Sequence, residues 1–326
     1  MTTSSPPRPV LAVLGADADD RPPHLDALAD RLEVRHTDAA GLGDAVRGAD
    51  ALLLWDFFST AVSGVWDRVD RLRWIHVAAA GVDKLLFEDL VASDVTVTNA
   101  RGVFDRPIAE YVLGVCLAQA KALPGLLADQ AAGRWQHRDT VSLTGTSALV
   151  VGTGSIGREI ARLLRAVGVR VRGAGRSARS GDPDFGDVLD SAELTSYVGE
   201  FDHVVVVTPL TAQTRGLVGR DVLAAMRPSA HLVNVGRGAV VDEEALVDAL
   251  RDGVIGAASL DVFTTEPLPE DSPLWSMPQV IVTPHLSGDA HGSEETLARQ
   301  FVDNALRWLD GRPLHNVVDK RLGFVP

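Results

Sequence analysis

The chain has 326 residues, enough for about two domains, and its 46% hydrophobic and 23% charged content excludes disordered, collagen-like and coiled-coil classes. Its 31 basic and 44 acidic side chains give a formal net charge of −13, which argues against binding of nucleic acid or of an anionic membrane. That charge still permits a local anion site, because a few arginines in a cleft can dominate their surroundings.

The single cysteine, Cys116, excludes an intrachain disulfide and fits a reducing compartment. It lies in the apolar stretch 111–117, where we expect a small buried helix residue. No metal is expected, because the histidines and carboxylates show no H-E-x-x-H-like spacing and Cys116 stands alone. The N-terminus lacks a signal pattern, and no apolar run reaches the roughly 18 residues of a membrane span. We therefore predict a cytoplasmic protein.

Short apolar runs near Gly or Asp turns predict buried strands at Val10–Leu14, Ala51–Trp55 and Trp74–Val77. A helix is predicted between the first two, at Leu25–Leu32. This alternation predicts a parallel sheet with helices on both faces. The Ala/Leu-rich stretch from Asp105 to Trp135 follows as a long helical segment, predicted to break at Pro124-Gly125.

A second alternating series begins after this helical stretch. Its predicted strands are Ser147–Val151, Val169–Arg172, Val204–Val207, His231–Asn234, Gly256–Leu260 and Val280–Thr283. Its predicted helices are Ile156–Val167, Glu243–Arg251 and, after the last strand, Glu294–Leu309. The two series predict an α/β protein with two doubly wound parallel-sheet domains.

A glycine-rich turn joins the first strand of the second series to its helix. It runs Gly152-Thr153-Gly154-Ser155-Ile156-Gly157, a G-x-G-x-x-G pattern between strand and helix. Gly152 permits the tight turn, Gly154 lets backbone approach a pyrophosphate, and Gly157 lets the helix pack close to the strand. Amides of the helix start then face the phosphates. The turn predicts a dinucleotide site.

The end of the next strand indicates which dinucleotide is bound. An NAD site usually carries a carboxylate there for the ribose 2′-OH, but none stands near Gly175. Arg176, Ser177 and Arg179 follow instead, and arginines would hold a 2′-phosphate. We predict NADP as the preferred cofactor. NAD stays possible, because this chain uses arginine far more than lysine and an arginine could stand there by chance.

Three polar segments each follow an apolar strand and carry Arg237, Glu266 and His285. Ligands of open α/β sheets bind at the carboxyl ends of strands, so these side chains are expected to converge at a bound nicotinamide. Arginine can hold the carboxylate of a 2-keto acid and polarise its carbonyl. Histidine can donate the proton that the new hydroxyl needs, and a neighbouring glutamate favours the protonated ring.

The chain resembles the D-isomer-specific 2-hydroxyacid dehydrogenases over nearly its whole length. The shared motifs are Ala78-Ala79-Ala80-Gly81-Val82-Asp83, Ala109-Glu110, the GTGSIG turn, Thr208-Pro209-Leu210-Thr211, N-x-G-R-G, L-D-V-F-x-x-E-P-L and T-P-H. The G-R-S-x-R ending after Gly175 is similar to the NADPH-dependent glyoxylate and hydroxypyruvate reductases of this family.

The resemblance implies roles for particular residues. Arg237, Glu266 and His285 would be catalytic, and Asp261 would contact the carboxamide side of the nicotinamide. Backbone N–H groups around Ala79, Ala80 and Gly81 would bind the substrate carboxylate together with Arg237 and His285. Further expected cofactor contacts are Ser155, Ile156, Thr208, Pro209, Val235, His285 and Ser287.

The resemblance also implies a domain plan and an activity. A flavodoxin-like substrate domain would span 1–100 and be completed by 290–326, and a Rossmann dinucleotide-binding domain would span 101–289. The protein would transfer a hydride from NAD(P)H to a small 2-keto acid such as glyoxylate or hydroxypyruvate, giving a D-2-hydroxy acid. A homodimer is expected.

Two alternative functions stay open at this stage. One is NAD-dependent oxidation of a D-2-hydroxy acid of the D-lactate or phosphoglycerate type. The other is a non-catalytic dinucleotide sensor similar to corepressors of the family. Arg101 either lies near the pocket or forms a surface ion pair, and the role of Arg106 is equally open. Trp135 is a candidate to reach a partner subunit's cleft.

Overall fold

The structure is a computed structural model that describes residues 8–17 and 19–326. Its contacts separate two compact units. Unit 1 holds the described residues up to Val103 together with Ala290–Pro326, and unit 2 holds Phe104–Asp289. Each unit contains one sheet with helices, which confirms the predicted α/β class.

The strands are numbered in chain order. They are β1 (Val10–Leu14), β2 (Glu33–Thr37), β3 (Ala51–Leu54), β4 (Trp74–Val77), β5 (Thr96–Asn99), β6 (Ser147–Val151), β7 (Arg170–Gly175), β8 (Arg179–Asp182), β9 (Gly186–Asp190), β10 (His203–Val206), β11 (His231–Asn234), β12 (Ala257–Leu260) and β13 (Val280–Val282).

The α-helices are numbered in the same way. They are α1 (Leu42–Ala45), α2 (Ala61–Gly64), α3 (Glu88–Ala92), α4 (Asp105–Ala120), α5 (Leu123–Ala131), α6 (Ser155–Ala166), α7 (Leu194–Tyr197), α8 (Arg220–Ala225), α9 (Glu243–Arg251) and α10 (Ser293–Leu309). Short 3₁₀ turns lie between several of them.

Unit 1 has a parallel sheet in the order β2-β1-β3-β4-β5, the flavodoxin-like strand order. Strands β1, β3 and β4 are buried along their whole length, as their apolar sequences require. Helix α10 closes one face, where Phe301 stacks on Trp74 with ring centroids 5.4 Å apart. The helix predicted at Leu25–Leu32 is only a 3₁₀ turn at Leu25–Leu28, because three residues per turn suffice to bury both leucines.

Unit 2 has an eight-stranded sheet in the order β13-β12-β11-β10-β6-β7-β9-β8, in which only β8 is antiparallel among the described strands. The first strand of this sheet along the chain is β6. The following strands β7 and β9 lie on one side of β6, and the chain then crosses to the other side of β6 with β10. This reversal between β6 and β10 is the topological switch point of a Rossmann fold, where ligands bind. The predicted Rossmann architecture is confirmed.

The long helical stretch breaks earlier than predicted. Helix α4 ends at Ala120, and Ala122 has a φ of 53° before α5 begins at Leu123. Pro124 therefore lies in the first turn of α5, where a missing N–H costs nothing, and does not interrupt a helix. No single helix in the described part of the chain is long and apolar enough to cross a membrane; α4 and α5 pass that test only as a pair bent by 65°.

Candidate active site

The glycine-rich turn connects β6 to α6 at the switch point. Gly152 has a φ of 121°, a left-handed conformation that favours glycine. A Cβ on Gly157 would overlap the carbonyl oxygen of Gly152, so the helix packs as closely as predicted. A Cβ on Gly154 would meet no atom within 4 Å, which leaves open space beside the start of α6. The turn therefore fits a pyrophosphate at the helix N-terminus.

Two neighbouring strand ends adjoin this turn. Residues 207–208 follow β10 and lie within contact distance of Gly152, and Gly236 after β11 is close to the Thr208 backbone. Thr208 is buried, and its Oγ1 has no hydrogen-bond partner among the described residues. Val235 is also buried, whereas Pro209 is exposed. The unpartnered hydroxyl at this edge is compatible with a polar ligand group.

The turn that carries Arg237 is fixed by the side chain of Asn234. Asn234 Oδ1 accepts from the amide of Gly236 at 3.1 Å, and its Nδ2 donates to the carbonyl of Arg237 at 3.1 Å. Arg237 is half-buried, and its Nη1 donates to the Gly236 carbonyl at 2.8 Å. Gly238 packs directly against the backbone of Phe263, which joins this turn to the segment that carries Glu266.

Glu266 and His285 form the pair that the sequence predicts. Nδ1 of His285 lies 2.9 Å from Oε2 of Glu266, and the other oxygen, Oε1, accepts from the Phe263 amide at 3.0 Å. Their side chains are 26% and 31% exposed, so the pair is accessible yet partly desolvated. A carboxylate at Nδ1 requires the N–H there, which leaves Nε2 as the nitrogen for proton exchange.

Asp261 has a role in the structure that the sequence did not indicate. It is fully buried, and its carboxylate accepts from Thr283 Oγ1 at 2.6 Å and from the amides of Leu286 and Ser287 at 3.0 and 2.9 Å. It therefore holds the loop in which His285 adopts a φ of 54°. The cofactor contact implied for Asp261 stays a prediction. Because Asp261 is buried, the loop that carries His285 would have to move before the Asp261 side chain could contact a cofactor.

Tyr111 on α4 extends this network and was missed by the sequence reasoning. Its hydroxyl lies 2.7 Å from Thr283 Oγ1, whose own proton goes to Asp261, so the tyrosine donates. Burial raises the pKa of Tyr111 to about 12, which keeps it a donor. The only sequence signal was a polar group inside the apolar stretch 111–117.

The two arginines after β7 have different surroundings in the structure. Arg176 and Ser177 are exposed at the end of the strand, but Arg179 opens β8, where its Nη2 donates to Asp182 at 3.0 Å. Arg158, just after the glycine turn, binds the same carboxylate through two contacts of 2.9 Å. The hydrogen bonds from Arg158 hold the pKa of Asp182 well below its usual range. Arg179 is therefore already paired with Asp182, and its predicted cofactor contact stays a prediction.

A carboxylate near this strand end is already engaged. Asp190, at the end of β9, is the register partner of Gly175. Its Oδ1 accepts from the Ala192 amide at 2.9 Å and caps the following turn. The position that would bind a ribose 2′-OH in an NAD site thus carries the exposed Arg176 in place of a carboxylate.

The predicted substrate loop lies in unit 1, at the carboxyl end of β4. Asn99 Nδ2 donates to the carbonyl of Ala80 at 2.6 Å, and the Ala100 amide donates to that of Ala79 at 2.9 Å. Ala79, Ala80 and Gly81 are partly accessible, whereas Asn99 and Ala100 are buried. The carboxylate-binding role of this loop stays a prediction.

Three residues of unassigned role are now located. Arg101 Nη1 donates to the backbone oxygens of Val325 and Pro326 at 3.0 and 2.9 Å, so it holds the last residues of unit 1 in place. Arg106 binds the carboxylates of Glu110 and Glu159 on the surface of unit 2. Trp135 is fully exposed.

Comparison with known proteins identifies the family of this chain. The family model described as D-isomer specific 2-hydroxyacid dehydrogenase, NAD binding domain, matches residues 113–287. A glyoxylate/hydroxypyruvate reductase B of Pectobacterium atrosepticum is 34% identical over 260 residues, 77% of this chain and 80% of the relative. A D-3-phosphoglycerate dehydrogenase of Methanocaldococcus jannaschii is 31% identical over 91% of this chain, which spans 58% of that protein.

A solved structure is similar over almost the whole chain. It is a D-isomer specific 2-hydroxyacid dehydrogenase of Xanthobacter autotrophicus in complex with NADPH and MES, with a TM-score of 0.82 and 33% identity, covering 98% of this chain and all of that one. The chain belongs to the D-isomer specific 2-hydroxyacid dehydrogenase family. It is an oxidoreductase that uses a nicotinamide cofactor.

Proposed function

We propose that this enzyme reduces a small 2-keto acid of the glyoxylate or hydroxypyruvate type to a D-2-hydroxy acid, with NADPH preferred over NADH. The observation that carries the proposal is the His285–Glu266 pair, 2.9 Å apart, at the strand ends that also carry Arg237. The reductase that resembles this chain at 34% identity supports the substrate class.

His285 would be the residue that transfers the proton. When bound, the nicotinamide supplies the hydride. Glu266 accepts the hydrogen bond that Nδ1–H donates and stabilises the imidazolium, so Nε2 presents a proton to the oxygen that gains negative charge. In the reverse direction the neutral Nε2 accepts that proton, and the same pair serves the oxidation.

Arg237 supplies the anion-binding part of the proposal. Its guanidinium matches a carboxylate in a bidentate arrangement and polarises an adjacent carbonyl oxygen. The side chain of Asn234 fixes the backbone of Gly236 and Arg237. This limits the movement of Arg237, and a less mobile arginine orients a substrate better. The backbone amides around Ala79–Gly81 would bind a substrate carboxylate. We assign the substrate domain to 1–100 and 290–326 and the dinucleotide-binding domain to 101–289.

The preference for NADPH is supported by the residues at the end of β7. Arg176 and Ser177 stand exposed there, and the Asp190 carboxylate is committed to a cap. A 2′-phosphate would gain charge-assisted hydrogen bonds from the arginine, whereas a 2′-OH would gain little. A relative 33% identical to this chain was crystallised with NADPH, which supports the same choice.

Initial rates with NADPH and NADH test the proposal, each measured with glyoxylate, hydroxypyruvate, pyruvate and phenylpyruvate. We expect kcat/KM to favour NADPH by at least about tenfold, the value of one charge-assisted contact. The variant Arg176→Ala should lower kcat/KM for NADPH by about 10–100-fold and leave that for NADH nearly unchanged. Preference for NADH in the wild-type protein would refute the cofactor assignment, and no turnover of any keto acid would refute the reductase assignment.

Oxidation of a phosphorylated hydroxy acid with NAD is the competing function, favoured by the 31% identity to a phosphoglycerate dehydrogenase. Oxidation of D-3-phosphoglycerate and D-lactate with NAD and NADP distinguishes it from the reductase. The non-catalytic sensor is tested by His285→Ala: turnover should fall by more than about 100-fold with cofactor binding retained, because the acid–base group is lost. Cofactor binding without turnover in the wild-type protein would favour the sensor.

We also infer a homodimer, supported by a set of exposed apolar side chains near α4 and α5. These are Leu117, Leu123, Leu127, Trp135 and Val141. Exposed large apolar side chains that are concentrated in one part of the chain are typical of association surfaces. A molecular mass of one chain at micromolar concentration would refute the dimer.

A further inference from the structure

Three side chains that are far apart along the chain lie close together in the interior of unit 2. They are Cys116 on α4, His203 at the start of β10 and His231 at the start of β11. All three are buried, and one potential ligand atom of each lies within 4.8 Å of the others. The two Nδ1 atoms of the histidines are 3.3 Å apart.

We propose that Cys116, His203 and His231 bind one Zn²⁺ ion, with a fourth position left for water. The sequence predicted no metal because these residues are far apart along the chain, but the parallel register of β10 and β11 places the two histidines side by side. Helix α4 then brings the thiol to them, so the site is a product of the fold.

The spacing of the ligand atoms fits tetrahedral zinc. With Zn–N distances of about 2.0–2.1 Å, two nitrogens of a tetrahedron lie about 3.3 Å apart. This is the separation that the Nδ1 atoms already have. A sulfur at about 2.3 Å from zinc lies about 3.5 Å from each nitrogen. The ligand atoms of the three residues already lie within 4.8 Å of one another, so the remaining approach is within the reach of side-chain rotation.

A further hydrogen bond orients one of the two rings. Nε2 of His231 lies 2.9 Å from Oγ of Ser259 on β12. If Nε2–H donates to that hydroxyl, Nδ1 carries the lone pair that would bind the metal. Metal-bound histidines usually donate their other N–H to such a partner, which fixes the tautomer and the ring. Ser259 is fully buried, so this hydroxyl is held in place.

The donor set selects the metal. One thiolate and two imidazoles are the ligands of zinc, whereas Ca²⁺ and Mg²⁺ require oxygen ligands. Coordination replaces the thiol proton, which passes to solvent, and leaves the histidines neutral.

The position of the site points to a structural role. His231 opens β11, whereas Asn234 closes it and is followed by the turn of Arg237. The zinc ligands therefore lie at the amino ends of the strands, about 10 Å of strand away from the catalytic edge. An ion there would link α4 to the central strands of the sheet.

The test uses the full-length protein after removal of metal with a chelator. Titration with Co²⁺ alone should give the visible bands of tetrahedral cobalt and a thiolate charge-transfer band, and dialysis against Zn²⁺ alone should give one zinc per chain. Zinc at about 100 times its Kd should raise the Tm by about 5–10 °C. The cobalt spectrum reports the sulfur ligand directly and requires no activity.

Variants separate the ligands from the packing. Cys116→Ala and His203→Phe should lose the thiolate band and stoichiometric zinc. Val115→Ala, the matched control on the same buried part of α4, should keep both even where it lowers the Tm. Ser259→Ala should weaken zinc binding by about 10–100-fold.

Two outcomes overturn the proposal. The first is a wild-type protein that binds neither Co²⁺ nor Zn²⁺ at stoichiometric levels, which would leave His203 and His231 as a hydrogen-bonded imidazole pair. The second is a cobalt spectrum that persists in Cys116→Ala, which would place the metal elsewhere.

Discussion

Replacement of Glu266 by glutamine removes the negative charge beside His285 and keeps the shape of the side chain. In the wild-type structure Oε2 lies 2.9 Å from Nδ1 of His285, and Oε1 accepts from the Phe263 amide. The amide oxygen of glutamine can still accept from Phe263, so the loop should keep its conformation. The variant therefore tests the charge of Glu266 and not the structure of the loop.

The size of the effect follows from the geometry. A hydrogen bond between charged groups contributes about 1.5–3 kcal/mol, and the lower half of that range applies here because the two side chains are 26% and 31% exposed. A loss of about 1.5–2 kcal/mol in the transition state corresponds to a fall in kcat of about 10–30-fold. Since Glu266 stabilises charge on His285 and does not bind substrate, the KM for the keto acid should stay within about threefold.

Steady-state kinetics with saturating NADPH measure both constants. Glu243→Gln is the matched control, because Glu243 Oε2 accepts from the amide of Thr264 at 3.0 Å on the same loop but does not contact His285 in the structure. We expect its kcat to stay within about twofold of wild type. The reasoning is refuted if Glu266→Gln changes only the KM, or if the control loses as much kcat as Glu266→Gln does.

Three further predictions concern stability and assembly. Asp261→Asn exchanges an acceptor of three hydrogen bonds for a group that presents an N–H₂ to one of them, so the Tm should fall by about 4–8 °C together with kcat/KM; an unchanged Tm would contradict the network. Burial lowers the pKa of His76 to about 3, so below pH ~6.5 the unfolded chain takes up a proton that the folded chain does not. The free energy of unfolding should therefore fall with decreasing pH, down to about pH 3, by about 1.4 kcal/mol per unit more steeply in wild type than in His76→Phe; equal slopes in urea titrations would contradict this. Leu127→Asp places a charge on a side chain that is 63% exposed and should dissociate the inferred dimer in light scattering, whereas a persistent dimer would place the interface elsewhere.

The sequence predicted most strands of both sheets, including the edge strand β13, and missed β2, β5, β8 and β9. Strands β1, β3 and β4 are buried throughout and read as continuous apolar runs. Strands β2 and β8 lie at sheet edges and contain exposed charged residues, so neither alternation nor an apolar run marks them. β2 and β8 form because the neighbouring strands β1 and β9 supply hydrogen-bond partners. The residues of β2 and β8 alone do not indicate that such partners exist.

The same distinction separates the predicted and the missed parts of the site. The glycine turn and the Glu266–His285 pair were predictable because each lies in a short motif after an apolar strand. The contact of Tyr111 with Thr283 joins α4 to the loop after β13, and no local pattern connects them. The packing of α4 against the sheet decides this contact.

The arginines after β7 show why the net charge of −13 says little about anion binding here. Asp182 accepts from both Arg158 and Arg179, and Asp184 also accepts from Arg158, so two neighbouring carboxylates balance the positive charge of these two arginines. A 2′-phosphate would compete with Asp182 for Arg179. Arg176 follows β7 outside the β8–β9 hairpin, so its substitution leaves the contacts of Asp182 with Arg158 and Arg179 in place. Substitution of Arg179 would therefore mix a loss of fold stability with any loss of cofactor binding. For this reason Arg176 is the better residue for testing the cofactor preference, even though a sequence pattern gives the two arginines equal weight.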